Sequence, residues 1–391
     1  MNNNQEHISN YICPICGNTN SHSIGIRNGH PYCRRCISFR GEEVKGDLSY
    51  PKGAKIYIDY DLSEEQKILS SRILNNYKEG KNTLVHAVCG SGKTEIVLEI
   101  IQYVIRCGER VGFAIPRRDV VVEIYHRFSS IFKNNKVVAV YGGHTNDTEG
   151  DLVVLTTHQL YRYYNYFDLL IVDEIDAFPF KGNEVLKSFF YRSIKNNYVL
   201  MSATPSSEVL KKFSSEGFEV VELFSRFHKY PLPVPELIKG HKFKLFYKLI
   251  DYLNIFIKED KQVMVFTPTI EICQSIFGYI KLFVKGGDYV HSKRENRGEV
   301  IDNFREHKTN YIVTTAVLER GVTVRNVQVI IFLADHMVYD RHALIQISGR
   351  VGRKKDAPEG EVIFLAERET EEIDAAIEEI ERANRNLQDL L

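Results

Sequence analysis

The 391-residue chain has no tryptophan, only 11 prolines and 25 glycines, and no net charge, with 51 Lys and Arg against 51 Asp and Glu. So little proline and glycine excludes a collagen-like repeat and a chain that is mostly linker. Apolar runs are short: Val327 to Ala334 (VQVIIFLA) falls far below the ~20 residues of a membrane-spanning helix. The opening MNNNQEHISN is polar and has no basic stretch followed by an apolar one, so no signal peptide is expected. These absences predict a cytoplasmic protein, whose seven cysteines should be reduced or metal-bound. What is present excludes disorder: 43% of residues are hydrophobic, with 22 Tyr and 22 Phe to build cores. At ~100–200 residues per domain, the length predicts two or three domains.

Zero net charge hides an asymmetry. From Asp356 to Leu391 there are 12 acidic and 3 basic residues, which leaves 39 acidic and 48 basic residues, a net +9, in the other 355. The neutral total therefore does not exclude an anionic partner.

Cys13, Cys16, Cys33 and Cys36 read C-x2-C, 16 residues, C-x2-C. That is the spacing of a four-thiolate Zn2+ ribbon. Pro14 and Gly17 suit a metal-binding turn, and Asn28-Gly29 predicts a hairpin between the two pairs. Two unrelated cysteine pairs or a redox dithiol are the plainer alternatives, disfavoured by the doubled spacing. Cys89, Cys107 and Cys273 stand alone and are expected to be small buried residues.

From about Ile56 the pattern alternates. Apolar runs at 83–88, 110–115, 136–140, 152–155, 169–172 and 198–201 enclose helical periods at 95–105 and 119–132. The alternation predicts an α/β domain with a parallel sheet. Residues 230–236 (YPLPVPE) place three prolines in five positions and predict a linker. A second series follows, with strands at 262–266, 287–290, 311–314, 327–332 and 361–365, and an acidic helix from Ala366 onward. Three regions result: a four-cysteine domain at 1–55, a first α/β lobe at 56–228 and a second at 229–391.

Gly90-Ser91-Gly92-Lys93-Thr94 follows the first strand and opens a helix. A phosphate-binding loop needs flexible backbone to wrap phosphates, a lysine at the β- and γ-phosphates and a hydroxyl on Mg2+. Lys93 and Thr94 supply the last two, and the helix N-terminus adds a favourable dipole. The first glycine of the usual pattern is Ala87 here. The run at 169–172 ends in Asp173 and Glu174, where one carboxylate can hold Mg2+ and the next can polarise the attacking water. Alone, such acids fit a solvated helix start equally well; the upstream loop favours catalysis. Ser202-Ala203-Thr204 follows the next strand, where hydroxyls can relay the state of the γ-phosphate. In the last region, Gln346-Ile-Ser-Gly-Arg350-Val-Gly-Arg353 sets two guanidiniums three residues apart, suited to the charge that develops in phosphoryl transfer. A basic surface turn is the alternative. Thr314 and Arg320, within TTAVLERGVT, suit the phosphates of a polynucleotide.

The order LSEEQ with Gln66, GSGKT, Pro116-Arg117, Thr156-Thr157-His158-Gln159, DEID, SAT, TTAVLERGVT, QISGRVGR resembles superfamily 2 helicases and translocases over residues 62–353, three quarters of the chain. The resemblance implies two RecA-like lobes with ATP between them and single-stranded nucleic acid across both. It implies that Gln66 reads adenine and that Gly90, Ser91, Gly92, Lys93, Thr94 and Gly321 bind the nucleotide. Asp173, Glu174 and Gln346 would act in hydrolysis, with Arg350 and Arg353 as arginine fingers. Pro116, Arg117, Thr156, Ser202, Thr204, Thr314 and Arg320 would contact nucleic acid or couple it to ATP. DEID in place of DEAD, and the opening Gln346, are more similar to processive translocases than to RNA-clamping DEAD-box proteins.

Within the superfamily the chain is similar to the ComFA family, late-competence DNA-uptake ATPases of Gram-positive bacteria. A four-cysteine site directly before the core, the continuation DEIDAFPF, and GRVGRKKDAPEGEVIFL leading into a helical tail carry that similarity. It implies a single-stranded-DNA-stimulated ATPase that helps pull transforming DNA through the membrane channel. It also implies ComFC and DprA as partners, and a peripheral position at the inner face of the cell membrane. PriA-like replication-restart helicases are relatives but place their zinc cysteines within the second lobe.

The segment to Arg40 holds Arg27, Arg34, Arg35 and Arg40 against Glu6, interleaved with Tyr11, Tyr32 and Phe39. Cations on a phosphate track with aromatics for stacking suit a single strand; a structural ribbon docked on a lobe is the alternative. Tyr161-Arg162-Tyr163-Tyr164 is expected to be a partly buried helix and not a stacking platform. The rival functions are an RNA helicase and, from another class, a zinc-dependent adaptor with a residual ATPase core. Lys93, Glu174, Arg350 and Arg353 argue against the adaptor.

Overall fold

The computed structural model describes residues 11–39, 41–45, 53–87, 91–174, 183–202, 217–223, 230–315, 324–354 and 356–388. The chain divides into two compact units, one formed by Met1–Ala87 with Gly92–Leu223, the other based on Phe224–Leu391.

The four-cysteine segment contains an antiparallel hairpin of β1 (Ile24–Arg27) and β2 (His30–Cys33). Its turn residues Asn28 and Gly29 sit at φ 53° and 79°. Two successive left-handed residues are what a type I′ turn requires.

The sheet of the first unit comprises β3 (Thr83–Ala87), β4 (Val111–Ile115), β5 (Val137–Val140), β6 (Leu152–Thr156), β7 (Phe167–Asp173), β8 (Ile194–Ser202) and β9 (Glu219–Leu223). All pair in parallel, in the order β5-β6-β4-β7-β8-β3-β9. Alternate residues feed two cores. Val85, Phe113, Val154 and Ile171 face one; Leu84, Ala114, Val153 and Leu170 face the other. Burial on both faces explains why these strands read as continuous apolar runs.

The second unit repeats the plan with β10 (Glu236–Lys239), β11 (Gln262–Phe266), β12 (Gly287–Val290), β13 (Tyr311–Thr314), β14 (Val327–Phe332) and β15 (Val362–Ala366), ordered β10-β15-β14-β11-β13-β12 and parallel throughout. Its two cores again take alternate residues, Met264, Val329 and Phe364 on one face, Val263, Ile330 and Ile363 on the other.

Several details depart from the sequence reading. Two strands were not foreseen: β9 adds an edge beside β3, and β10 begins directly after the proline segment, at the other sheet's edge. An edge is where a strand tolerates neighbouring prolines. The helix expected over 95–105 is two pieces, Lys93–Ile96 and Leu98–Arg106, separated at Val97 with φ −100° and ψ −1°. Cys107 is exposed, contrary to expectation, whereas Cys273 is buried; Cys89 lies outside the described residues.

The acidic tail is an integral helix, Glu371–Gln388. Ile373, Ala376 and Ile380 are at most 1% exposed within a core of the second unit. Asn384 clasps the proline segment: the Leu232 N–H donates to Asn384 Oδ1 and Asn384 Nδ2 donates to the Leu232 carbonyl, both at 2.8 Å. The acidic face, including Glu371, Glu372, Asp374 and Glu378, meets solvent, as do Arg382 and Arg385. Among the described residues no helix is long and apolar enough to cross a membrane.

Candidate nucleotide, strand and metal sites

In a parallel α/β sheet, ligands bind beyond the carboxyl ends of the strands. In the first unit that edge carries the motif residues. Gly92, Lys93 and Thr94 follow β3, Pro116 and Arg117 follow β4, Thr156 ends β6, Asp173 ends β7 and Ser202 ends β8. These five strands are consecutive in the sheet, so the motifs form one row.

Gln66 joins this row from the helix Glu64–Lys78. Its Oε1 accepts from the Ser63 N–H at 3.0 Å, and its own N–H donates to Ser63 Oγ at 3.1 Å. This capping box starts the helix and also fixes the amide. Gly92, at φ 83°, is the close approach: a Cβ there would run into Gln66 Nε2. A glycine is required both for the left-handed backbone and for the space. Lys93 and Thr94 are half-buried at the first turn of the following helix.

The acidic pair has a specific geometry. The Glu174 N–H donates to Asp173 Oδ1 at 2.9 Å, and Glu174 lies at φ 60°. Left-handed backbone is uncommon for a residue with a side chain and marks functional positions. Both carboxylates are partly exposed at the strand end.

One network beside this row was missed in the sequence. Arg127 Nη2 donates to Glu95 Oε1 and, at 3.2 Å, to the Tyr60 hydroxyl, which itself donates to Glu95 Oε1 at 3.2 Å. Burial alone would lower the basicity of Arg127; Glu95 and Tyr60 outweigh it. The three residues are 32 to 67 positions apart in pairs, so no local pattern announces them.

In the second unit Thr314 ends β13, fully buried, with its hydroxyl donating to the Thr315 carbonyl at 3.0 Å. Gln346, on the helix Arg341–Ser348, is 5% exposed. Arg350 is 2% exposed, whereas Arg353 is partly exposed and its Nε donates to the Gly349 carbonyl at 2.9 Å. The two arginines therefore differ in burial. Gly90, Thr204, Arg320 and Gly321 lie outside the described residues.

The four cysteines converge as their spacing predicts. Their sulfurs all lie within 4.8 Å of one another, with Cys13 to Cys36 at 3.4 Å and Cys16 to Cys33 at 3.7 Å. A tetrahedron with Zn–S bonds of ~2.3 Å has edges of about 3.8 Å, so the set fits Zn2+. Gly17, at φ 65°, closes the first knuckle by donating to the Cys13 carbonyl at 2.8 Å. Burial pushes the Cys16 thiol up to about 11 and raises Cys36 as well. At Cys33 burial acts the same way, but the backbone N–H groups of Arg35 and Cys36 outweigh it and hold the thiol below its usual value. A divalent cation is what would stabilise four buried thiolates together.

The module's aromatics pack within the first unit. Phe39 packs edge-on against Phe189 at 4.9 Å and stacks on His158 at 6.2 Å. Tyr11 packs on the same core, and a Cβ at Gly25 would run into the Tyr32 ring. Arg27, Arg34 and Arg35 are exposed. Tyr161 and Tyr163 are buried, as expected, though the segment Thr157–Arg162 is a 3-10 helix.

Two parallel-sheet lobes, with a phosphate-loop lysine and an acidic pair on the carboxyl edge of the first, define an ATP-hydrolysing helicase of superfamily 2. Residues 59–207 match the family described as type III restriction enzyme, res subunit, and residues 241–355 the helicase conserved C-terminal domain. Competence protein ComFA of Bacillus subtilis is 32% identical over 91% of this chain and 81% of its own length. That of Streptococcus pneumoniae is 33% identical over 96% and 90%. The chain belongs to the ComFA family. Among solved structures, S. cerevisiae Dbp5 bound to RNA and ADP BeF3 superposes with a TM-score of 0.61 at 16% identity, covering 83% of this chain and 92% of that one, a likeness of fold.

Proposed function

We propose that this chain is an ATP-driven single-stranded DNA translocase that draws in transforming DNA during natural competence. The observation that carries the reading is the row of motif residues along five consecutive strand ends of the first sheet. Such a row can hold a nucleotide at one end and a polynucleotide backbone along the rest.

In this reading residues 1–55 form the zinc-binding domain, 56–228 the ATP-binding lobe and 229–391 the second lobe. The backbone from Gly90 to Gly92 wraps the phosphates, Lys93 neutralises the β- and γ-oxygens, and Gln66 reads the base beside Gly92. Thr94 and Asp173 would hold Mg2+, which supplies charge neutralisation at the phosphates. Glu174 orients the attacking water. Arg350 and Arg353, with Gln346 and Gly321, meet the developing charge from the second lobe. Pro116, Arg117, Thr156, Thr314 and Arg320 grip the strand backbone, and Ser202 and Thr204 couple grip to hydrolysis. Backbone grip makes binding sequence-tolerant and salt-sensitive. The protein works at the cytoplasmic face of the membrane channel, with ComFC and DprA as partners, a placement that rests on family membership.

The test is the ATPase rate of the purified chain with single-stranded DNA, duplex DNA and RNA. Single-stranded DNA should accelerate it most, and Lys93→Ala or Glu174→Gln should abolish turnover with the fold intact. Equal rates with and without DNA, or unaltered turnover in both variants, would reject the reading. Stronger activation by RNA would assign the chain to RNA remodelling instead.

A further inference from the structure

Phe39 and residues 41–44 fasten the four-cysteine module to two segments of the first unit, the 3-10 helix Thr157–Arg162 and the helix Glu184–Ser193. Thr156 ends β6, and the 3-10 helix Thr157–Arg162 follows at once. The module reaches this helix through residues 39 and 41–44, the stretch just after Cys36. Phe39 is tied to the cysteine site by its N–H, which donates to the Cys36 carbonyl at 3.0 Å. Its ring meets His158 and Tyr161 of the 3-10 helix at 6.2 and 5.8 Å, and Phe189 behind them at 4.9 Å. At Gly41 a Cβ would run into the Arg162 guanidinium and the Tyr161 hydroxyl. Arg162 Nη1 donates to the Glu42 carbonyl at 3.5 Å, and Arg192 donates to Glu43 at 2.8 Å. The Val44 N–H donates to the Arg162 carbonyl at 2.8 Å, and Val44 pairs with Tyr163 as a parallel bridge.

Most of these contacts fall on the 3-10 helix that continues from Thr156, and those to Phe189 and Arg192 on the helix Glu184–Ser193. Among the described residues, the module's Tyr11, Tyr32 and Phe39 are engaged in packing, as described above. Among the described residues, Arg27, Arg34, Arg35, Lys45 and Lys55 are the module's exposed Lys and Arg side chains, open to a direct contact with phosphate.

We propose that the four-cysteine module acts on the strand grip indirectly, as a brace that holds Thr156 and the Thr157–Arg162 helix in place through Phe39 and the 41–44 strap. Phe39 is a positioning residue in this scheme, and the metal-bound knuckle at Cys36 is what holds Phe39. The inference rests on the proposed strand-facing role of Thr156.

The experiment has two arms on the full chain. In the first, hydrogen exchange is followed before and after zinc chelation, without DNA or ATP. Peptides covering 157–163 should lose protection, and peptides covering the helix Leu98–Arg106 should not. Unchanged protection at 157–163 would overturn the brace, whatever the protein binds. In the second, Phe39→Ala should retain its zinc and its affinity for a fluorescent ATP analogue but bind single-stranded DNA about 3- to 30-fold more weakly, the range of coupling through a packed contact. Phe39→Leu, which keeps most of the buried volume, should fall between this variant and the parent, and it serves if Phe39→Ala does not fold. Arg34→Ala with Arg35→Ala should change DNA affinity less than Phe39→Ala. Wild-type DNA affinity in Phe39→Ala, or a larger loss in the arginine pair, would assign strand contact to the module itself. If the parent protein binds no single-stranded DNA, the proposed function fails and the exchange arm still decides the brace.

Discussion

Glu174 donates its backbone N–H to the carboxylate of Asp173 at 2.9 Å while its own backbone is left-handed, at φ 60°. The turn that tilts Glu174 off the end of β7 is thus held by its neighbour, and it costs ~1–3 kcal/mol of backbone strain. Replacing Glu174 with glycine relieves that strain. Glu174→Gly should raise stability by about 1 kcal/mol in urea titration and lower kcat by about 10²–10⁴-fold. A variant that loses both stability and activity would show the conformation to be unstrained.

The Tyr60–Glu95–Arg127 network predicts a rescue. Glu95 is largely shielded, with 14% of its side chain exposed. Arg127→Met leaves its carboxylate without a cation and should cost about 1–3 kcal/mol of stability, with weaker nucleotide binding. Adding Glu95→Gln, which removes the charge, should restore part of the loss. The double variant's melting temperature and its affinity for a fluorescent ATP analogue decide; additive losses would dissolve the pair.

Most of the parallel strands were legible because burial on both faces makes them read as unbroken apolar runs. EVVEL at β9 and ELIK at β10 are short edge strands flanked by charges, and they carry no such run. The four cysteines were legible through spacing, because a metal knuckle is local. The partners of Phe39 were not. His158 and Phe189 lie far along the chain, and an aromatic that packs across a fold leaves the same mark in sequence as one that stacks on a base. The break at Val97 was hidden because helix propensity is a weak preference that tertiary placement overrides. The burial of Ile373, Ala376 and Ile380 was masked by the acidic residues around them.

That burial alters the meaning of a tail deletion. Removing residues 367–391 takes Ile373, Ala376 and Ile380 out of a core, so it should unfold the second unit before it reveals any effect of charge. The two roles separate by substitution. Ile380→Asp should destabilise by about 3 kcal/mol or more, read in urea. Glu371→Lys with Glu378→Lys, on the exposed face, should keep the melting temperature and tighten single-stranded DNA binding if the tail repels the strand. Unaltered affinity would remove repulsion as its role.

His158 gives a pH dependence. Burial holds its imidazole below the ordinary value, which is ~6.5 in the unfolded chain. As pH falls below that value the unfolded chain takes up a proton that the folded chain does not, so the residue's contribution to stability is lost on acidification. Above pH 6.5 it has no slope. His158→Gln should therefore flatten the decline in melting temperature between pH 6.5 and 5 relative to the parent. Parallel curves for the two proteins would count against a buried neutral ring.

The clasp between Leu232 and Asn384 has a mechanical corollary. The polypeptide enters the second unit and approaches its end within the span of one asparagine side chain. Tension applied between the proline segment and the C-terminal helix would load those two hydrogen bonds together before it reached the sheet. The second unit is in this sense a buckled belt, and replacing Asn384 with leucine opens the buckle while leaving the belt intact.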